Sequence, residues 1–119
     1  MDGAFEMEPY YARGGFVRSH RDIRFSSEIA SGQIAPELVG EGLVSLGVVD
    51  FDDILAYDRA CFPARRETFL RAWVNQPDAL ALASRREGRL VGYGVVRRCR
   101  SGCKIGPLFA DDLAAATAL

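Results

Sequence analysis

Residues 78–112 read DALALASRREGRLVGYGVVRRCRSGCKIGPLFADD and decide the fold. The stretch predicts three consecutive β-strands, Ala79–Ser84, Leu90–Val96 and Lys104–Phe109, because apolar and β-branched runs alternate with turn residues. Arg86-Glu87-Gly88-Arg89 and Cys99-Arg100-Ser101-Gly102-Cys103 predict the two turns, since glycine adopts positive φ without steric cost. A three-stranded meander is a scaffold on which many unrelated functions occur.

Helical patterns flank this meander on both sides. Two helices precede it, each with apolar residues at helical spacing and each ended by a proline, Pro63 or Pro77. The elements that we predict around the meander are a strand over Leu43–Val49, helices over Phe51–Phe62 and Arg65–Gln76, and a helix over Leu113–Leu119 opened by Asp111-Asp112. The predicted class is therefore α/β (α+β), with a largely antiparallel sheet flanked by helices.

The first 42 residues follow a different pattern. Phe5 to Arg13 predicts a short helix that ends at Gly14-Gly15, and Phe16 to Phe25 predicts an exposed edge strand. Ser26 to Gly42 is rich in small residues and predicts a connector, with one helical turn at Pro36–Val39. We therefore expect three segments: residues 1–25, a connector over 26–42, and a partial domain over 43–119.

Charge, hydropathy and cysteine content exclude several classes of protein. The formal net charge is −1, so no global field attracts nucleic acid or an anionic membrane. No apolar run is long enough to cross a bilayer, and the N-terminus lacks the pattern of a secretory leader. We expect a cytoplasmic protein whose three cysteines, Cys61, Cys99 and Cys103, are reduced.

The order of strand, two helices, meander and helix resembles the GNAT superfamily of N-acetyltransferases. The resemblance rests on Tyr57–Arg66, on Gly88–Gly94 and on Lys104–Asp111, and it covers roughly residues 43–119. Tyr10–Phe16 is similar to the late helix-to-strand pattern of the same family. The chain thus resembles the end of one GNAT domain followed by the first part of the C-terminal domain of tandem acetyltransferases, and the second domain is incomplete relative to the full fold.

The resemblance implies a cofactor-like substrate, acetyl-CoA, and an amine acceptor that is a small molecule or a peptide. It implies that the backbone of Ile105, Gly106, Pro107, Leu108 and Phe109 holds the pantetheine, and that Tyr11 is the general acid. An aromatic residue packing a short helix onto a sheet is the structural alternative for Tyr11. The family's Gly-rich loop for the pyrophosphate is not found: Ala110-Asp111-Asp112 carries no glycine and two carboxylates.

Other polar residues give weaker signals. His20 on a charged strand is more typical of a solvated residue than of a base, and Cys99 with Cys103 lacks a second ligand pair, so we expect no metal site. Spacing places Asp58 and Glu67 on helix surfaces. The basic cluster Arg97, Arg98, Arg100 and Lys104 is a solvated strand end or an anion contact, and Gly92, Gly94 and Gly106 indicate bulges or a close backbone approach.

Three functional hypotheses remain open from the sequence. The first is acyl transfer from acetyl-CoA to an unidentified amine. The second is a non-catalytic GNAT-like lobe that binds a ligand, forms a homodimer by completing its sheet with a strand of a second copy, or supports a catalytic domain. The third is a segment of a longer reading frame with no separate activity.

Overall fold

A computed structural model of the chain describes residues 4–19, 25–28 and 42–119. The chain divides into two compact units, Met1–Gln33 and Ile34–Leu119. The three segments predicted from the sequence, with a connector over 26–42, stay a prediction.

In the described residues of the first unit, 4–19 and 25–28, there is one short α-helix. A 3-10 turn over Phe5–Met7 leads into α1, Glu8–Arg13, and the chain leaves the helix through Gly15, whose φ is +84°. The predicted helix and its glycine end are confirmed. The predicted edge strand over Phe16–Phe25 is wrong where it can be checked, because residues 16–19 have no regular structure. Residues 20–24, with His20, and the predicted helical turn at Pro36–Val39 lie outside the described residues.

The second unit is built on one four-stranded antiparallel sheet. The strands run in the spatial order β1-β2-β3-β4, which is also their order in the sequence. Their bounds are Leu43–Ser45, Ala79–Arg86, Arg89–Arg98 and Cys103–Ala110. The three strands of the meander are therefore confirmed, each slightly longer than predicted, and so is the α/β (α+β) class.

Turn chemistry and bulges shape the meander. Glu87 and Gly88 both have positive φ, at 50° and 80°, which is the two-residue turn that matches the twist of a hairpin. The register between β2 and β3 shifts after Ser84, and that between β3 and β4 shifts between Gly94 and Val96. The second shift falls opposite Gly106-Pro107 in β4. The bulge predicted at this glycine is present.

Three helices accompany the sheet: α2, Phe51–Cys61; α3, Glu67–Val74; and α4, Leu113–Ala118. Asp50 caps α2, since its Oδ1 accepts a hydrogen bond from the Asp52 amide at 2.8 Å. The strand predicted over Leu43–Val49 is too long. It ends at Ser45, whose Oγ accepts from the Gly47 amide and starts a 3-10 turn that directs Leu46 into the core.

The core lies between the sheet and the pair α2 and α3. Its buried members come from every layer: Leu46, Val49, Ile54, Leu70, Ala83, Tyr93 and Val95. Leu70 is fully buried, which stabilises the fold by roughly 1.5–3 kcal/mol relative to an exposed side chain. Leu119, the residue after α4, lies next to Gly92 and Gly94 of β3. The absence of side chains at these two glycines leaves room for this contact. Among the described residues, no helix is both long enough and apolar enough to span a bilayer.

Candidate functional site

One acidic side chain of α2 is completely buried. Asp58 has no exposed surface, and it accepts hydrogen bonds from Arg66 Nε at 2.9 Å, from Arg66 Nη2 at 2.5 Å and from the Tyr93 hydroxyl at 2.5 Å. The prediction that Asp58 lies on the helix surface is therefore wrong. Asp58 follows the buried Ile54 by one helical turn, so it shares the core-facing side of α2, where Arg66 from the connection between α2 and α3 and Tyr93 from β3 contact it.

The charges of this cluster are mutually satisfied. Burial by itself would raise the pKa of Asp58, but the hydrogen bonds from Arg66 and Tyr93 outweigh burial and hold that pKa below its ordinary value. Burial, followed by the hydrogen bond to Asp58, raises the pKa of Tyr93 well above its usual range. Arg66 also stacks 3.9 Å over the Phe62 ring. The cluster therefore ties α2, the following connection and β3 together, and it offers no proton to a ligand.

The five residues predicted to hold pantetheine lie on the last strand of the sheet. β4 pairs with β3 alone in the described sheet, so its outer edge is open to further backbone hydrogen bonds. Ile105 is 61% exposed, whereas Phe109 packs against the core with its ring centroid 5.8 Å from that of Tyr93. Trp73 Nε1 donates to the Gly106 carbonyl at 2.8 Å, so one backbone acceptor is already used.

The turn between β4 and α4, Ala110-Asp111-Asp112, is closed by its own hydrogen bonds; we call it the aspartate turn. Asp112 Oδ1 accepts from the Ala115 amide at 2.8 Å, and its Oδ2 pairs with Arg86 Nη1 at 2.9 Å. Asp111 Oδ1 accepts from the Tyr57 hydroxyl at 2.7 Å. The hydrogen bond from Arg86, and then that from the Ala115 amide, lower the pKa of Asp112, so the carboxylate is charged at neutral pH.

The aspartate turn does not fit the diphosphate of acetyl-CoA. A phosphate site at a helix N-terminus needs free amide donors and a favourable field. Here the Asp111 amide donates to the Val91 carbonyl at 2.9 Å, and the Ala115 amide serves Asp112. Two adjacent carboxylates, Asp111 and Asp112, also place negative charge at the turn, which disfavours phosphate groups there.

Tyr11, the predicted acid, lies in the first unit. Its ring is half-buried and meets Tyr10 and Phe16 edge to face, with centroids 6.2 Å and 6.4 Å away. Its backbone carbonyl accepts hydrogen bonds from the amides of Gly14 and Phe16. These ring contacts are with residues of the same helix and of the segment that follows it, so both the role of Tyr11 as an acid and the alternative of packing onto a sheet remain predictions.

The remaining candidates are dispersed. The cysteines are free, and burial raises the pKa of the Cys61 thiol, which makes it a poor nucleophile. The part of the chain that the structure describes contains no group of three or more metal-ligating side chains. The basic cluster divides: Arg98 and Arg100 line an open groove of about 480 Å³, whereas Arg97 lies over the Trp73 ring, 5.3 Å from its centroid.

Residues 54–119 match the family described as the acetyltransferase (GNAT) domain. The matched segment starts in α2 and includes α3, the meander and α4, which are the elements that surround the sites above. The chain belongs to the GNAT family.

Two curated relatives extend this result. The uncharacterized N-acetyltransferase YitH of Bacillus subtilis (strain 168) is 28% identical over 109 residues, which are 90% of this chain. The holothin acyltransferase of Pseudoalteromonas sp. (strain SANK 73390) is 24% identical over 115 residues, or 96% of this chain. The chain spans 38% and 37% of the lengths of these two proteins.

A solved structure supports the fold of this GNAT protein. The aminoglycoside 6'-N-acetyltransferase from Enterococcus faecium superposes with a TM-score of 0.51 at 16% sequence identity. The superposition covers 59% of this chain and 42% of the other. At this level of identity the likeness concerns the fold alone.

Proposed function

We propose that the protein takes part in acyl transfer from acetyl-CoA to an amine, by direct attack of the amine in a ternary complex. The observation that carries this proposal is the match of residues 54–119 to the acetyltransferase (GNAT) domain. The names of the two curated relatives, an N-acetyltransferase and an acyltransferase, support the same class of reaction. The acceptor belongs to the broad class of small-molecule or peptide amines.

Two separate proposals concern residues of the two compact units, each taken by itself. The backbone of Ile105, Gly106, Leu108 and Phe109 would line the pantetheine, supported by the open edge of β4; Pro107 has no amide hydrogen and offers only its carbonyl. Tyr11 would act as the acid that protonates the departing thiolate, because a phenol is protonated at neutral pH.

Release of free CoA tests the proposed reaction. The 119-residue chain, and the chain extended by any coding sequence that flanks it in frame, are incubated with acetyl-CoA and a panel of amines, and the thiol is titrated. Acceptor-dependent release of CoA by the extended protein is expected. If no amine in a panel of aminoglycosides, polyamines and peptides increases thiol release above hydrolysis, acyl transfer is rejected.

The aspartate turn favours a second candidate for this chain, a non-catalytic lobe that supports a catalytic domain. The two carboxylates of that turn are engaged with Tyr57, Arg86 and the helix backbone. A homodimer formed by pairing at the β4 edge belongs to the same candidate, because an unpaired strand edge is a template for another strand. Light scattering that finds a strict monomer at all concentrations would remove the dimer.

A further inference from the structure

We infer that the carboxylates of Asp111 and Asp112 take the place of a CoA phosphate at the start of α4. They attach α4 to the rest of this lobe, and the lobe does not bind the CoA diphosphate there. The inference deepens the second candidate function. It stands or falls apart from acyl transfer by a longer protein, because it concerns only residues 42–119.

Three backbone amides around α4 already have hydrogen-bond acceptors within the chain. The amides of Asp111, Ala115 and Ala116 donate to the Val91 carbonyl, to Asp112 Oδ1 and to the Asp112 carbonyl. The Asp112 side chain therefore satisfies the Ala115 amide in the first turn of α4, as an N-cap does. A negative group at this end is also the one that the helix dipole favours.

The aspartate turn also brings charged groups together. The Arg86 guanidinium is ion-paired with Asp112 at 2.9 Å, so its charge is already balanced. Asp111 adds a further negative group one residue away, hydrogen-bonded to Tyr57. In the described hydrogen bonds of the aspartate turn, Arg86 is the single cation, and it lies near two carboxylates, Asp111 and Asp112. A diphosphate approaching this exposed turn would meet net negative charge, because the carboxylates of Asp111 and Asp112 outnumber the Arg86 guanidinium.

The hydroxyl of Tyr57 donates its hydrogen to the aspartate turn. The phenol has one hydrogen and two acceptors within reach, the Val91 carbonyl at 3.0 Å and Asp111 Oδ1 at 2.7 Å. The Val91 carbonyl already accepts from the Asp111 amide, which leaves the phenol hydrogen for the carboxylate. Burial, and then the Asp111 carboxylate, raise the pKa of Tyr57 far above its ordinary value, so the phenol remains a donor. Asp111 and Asp112 thus link α4 to α2 and β2.

Two measurements on the folded chain test the inference. The first is an NMR titration with acetyl-CoA and, separately, with inorganic pyrophosphate, which follows the backbone amides of residues 110–116. No saturable shift of these amides is expected up to millimolar ligand, whereas a CoA-binding acetyltransferase in the same buffer shows saturation. Saturable shifts confined to residues 110–116 would overturn the inference.

The second measurement is amide hydrogen exchange of α4 in the variant Asp112→Ala. We expect exchange from Ala116 onward to become several-fold faster, because the internal anion and the cap are both lost. The matched control is Asp53→Ala, which removes an exposed carboxylate from the first turn of α2 and should leave α4 unchanged. Unchanged exchange in α4 of Asp112→Ala would contradict the role of Asp112.

Discussion

Asp58 and Glu67 show how differently two helix carboxylates of one chain can behave. Asp58 is completely buried and holds Arg66 through two hydrogen bonds, whereas Glu67 pairs with Arg71 at 3.6 Å with both side chains more than half exposed. Helical spacing assigned both to the surface. The partners of Asp58 lie 8 and 35 residues away in the sequence, so no local pattern could reveal them.

We expect Asp58→Ala to lower the free energy of unfolding by about 3–5 kcal/mol, because it leaves the Arg66 charge and the Tyr93 hydroxyl without a buried partner. Urea unfolding followed by circular dichroism measures this loss. The matched control is Glu67→Gln, which breaks a solvent-exposed pair and should change stability by no more than about 0.5 kcal/mol. Equal losses for the two variants would show that Asp58 is not a structural centre.

The stabilisation by Asp58 should also depend on pH. The pKa of Asp58 is lower in the folded chain than in the unfolded chain, where the pKa of an aspartate is about 3.9. The stabilisation is therefore fully present above about pH 4 and is lost as pH falls through the folded pKa. The difference in unfolding free energy between the wild type and Asp58→Asn should be constant from neutral pH to about pH 5 and should then shrink. A difference that stays constant down to about pH 2.5 would contradict this assignment.

At the scale of elements, the sequence predicted what depends on local chemistry. The three strands of the meander follow from apolar and β-branched runs, and the Glu87-Gly88 turn follows from the position of its glycine. The strand that begins at Leu43 was predicted too long. The apolar run up to Val49 is typical of a strand, but the Ser45 side chain caps a 3-10 turn and ends the strand there. The aspartate turn could be read as a departure from the Gly-rich pattern, but its ties to Tyr57 and Arg86 are tertiary and leave no local signal.

Gly92 is expected to be intolerant of any side chain. A Cβ there would lie 2.9 Å from the Phe109 carbonyl oxygen and 3.2 Å from the Ala110 Cα, and these are backbone atoms that cannot move aside cheaply. Gly92→Ala should therefore cost about 1–3 kcal/mol, as overpacking typically does. Gly47→Ala is the control, since its Cβ would meet only Ser45 Oγ at 3.6 Å. Thermal unfolding of both variants measures the difference, and equal stability of the two would refute the close approach of β3 and β4.

At the scale of the whole molecule, the chain belongs to the GNAT family, but its aspartate turn does not fit the CoA diphosphate that this family binds. The fold is that of a GNAT domain over α2 to α4, and residues such as Gly106-Pro107-Leu108 made the family recognisable in the sequence. The acceptor amine could not be read from the sequence, because acceptor specificity depends on side chains that vary freely on one fold. The structure then assigns Asp111 and Asp112 to internal contacts.

Calorimetric titration of the 119-residue chain with acetyl-CoA tests this account most directly. A lobe whose aspartate turn is occupied by its own carboxylates gains no affinity from the CoA diphosphate. Acetyl-CoA should therefore bind no more tightly than acetyl-pantetheine, which lacks the diphosphate, in a buffer where circular dichroism shows the chain to be folded. Saturable binding of acetyl-CoA that is clearly tighter than that of acetyl-pantetheine would contradict the account.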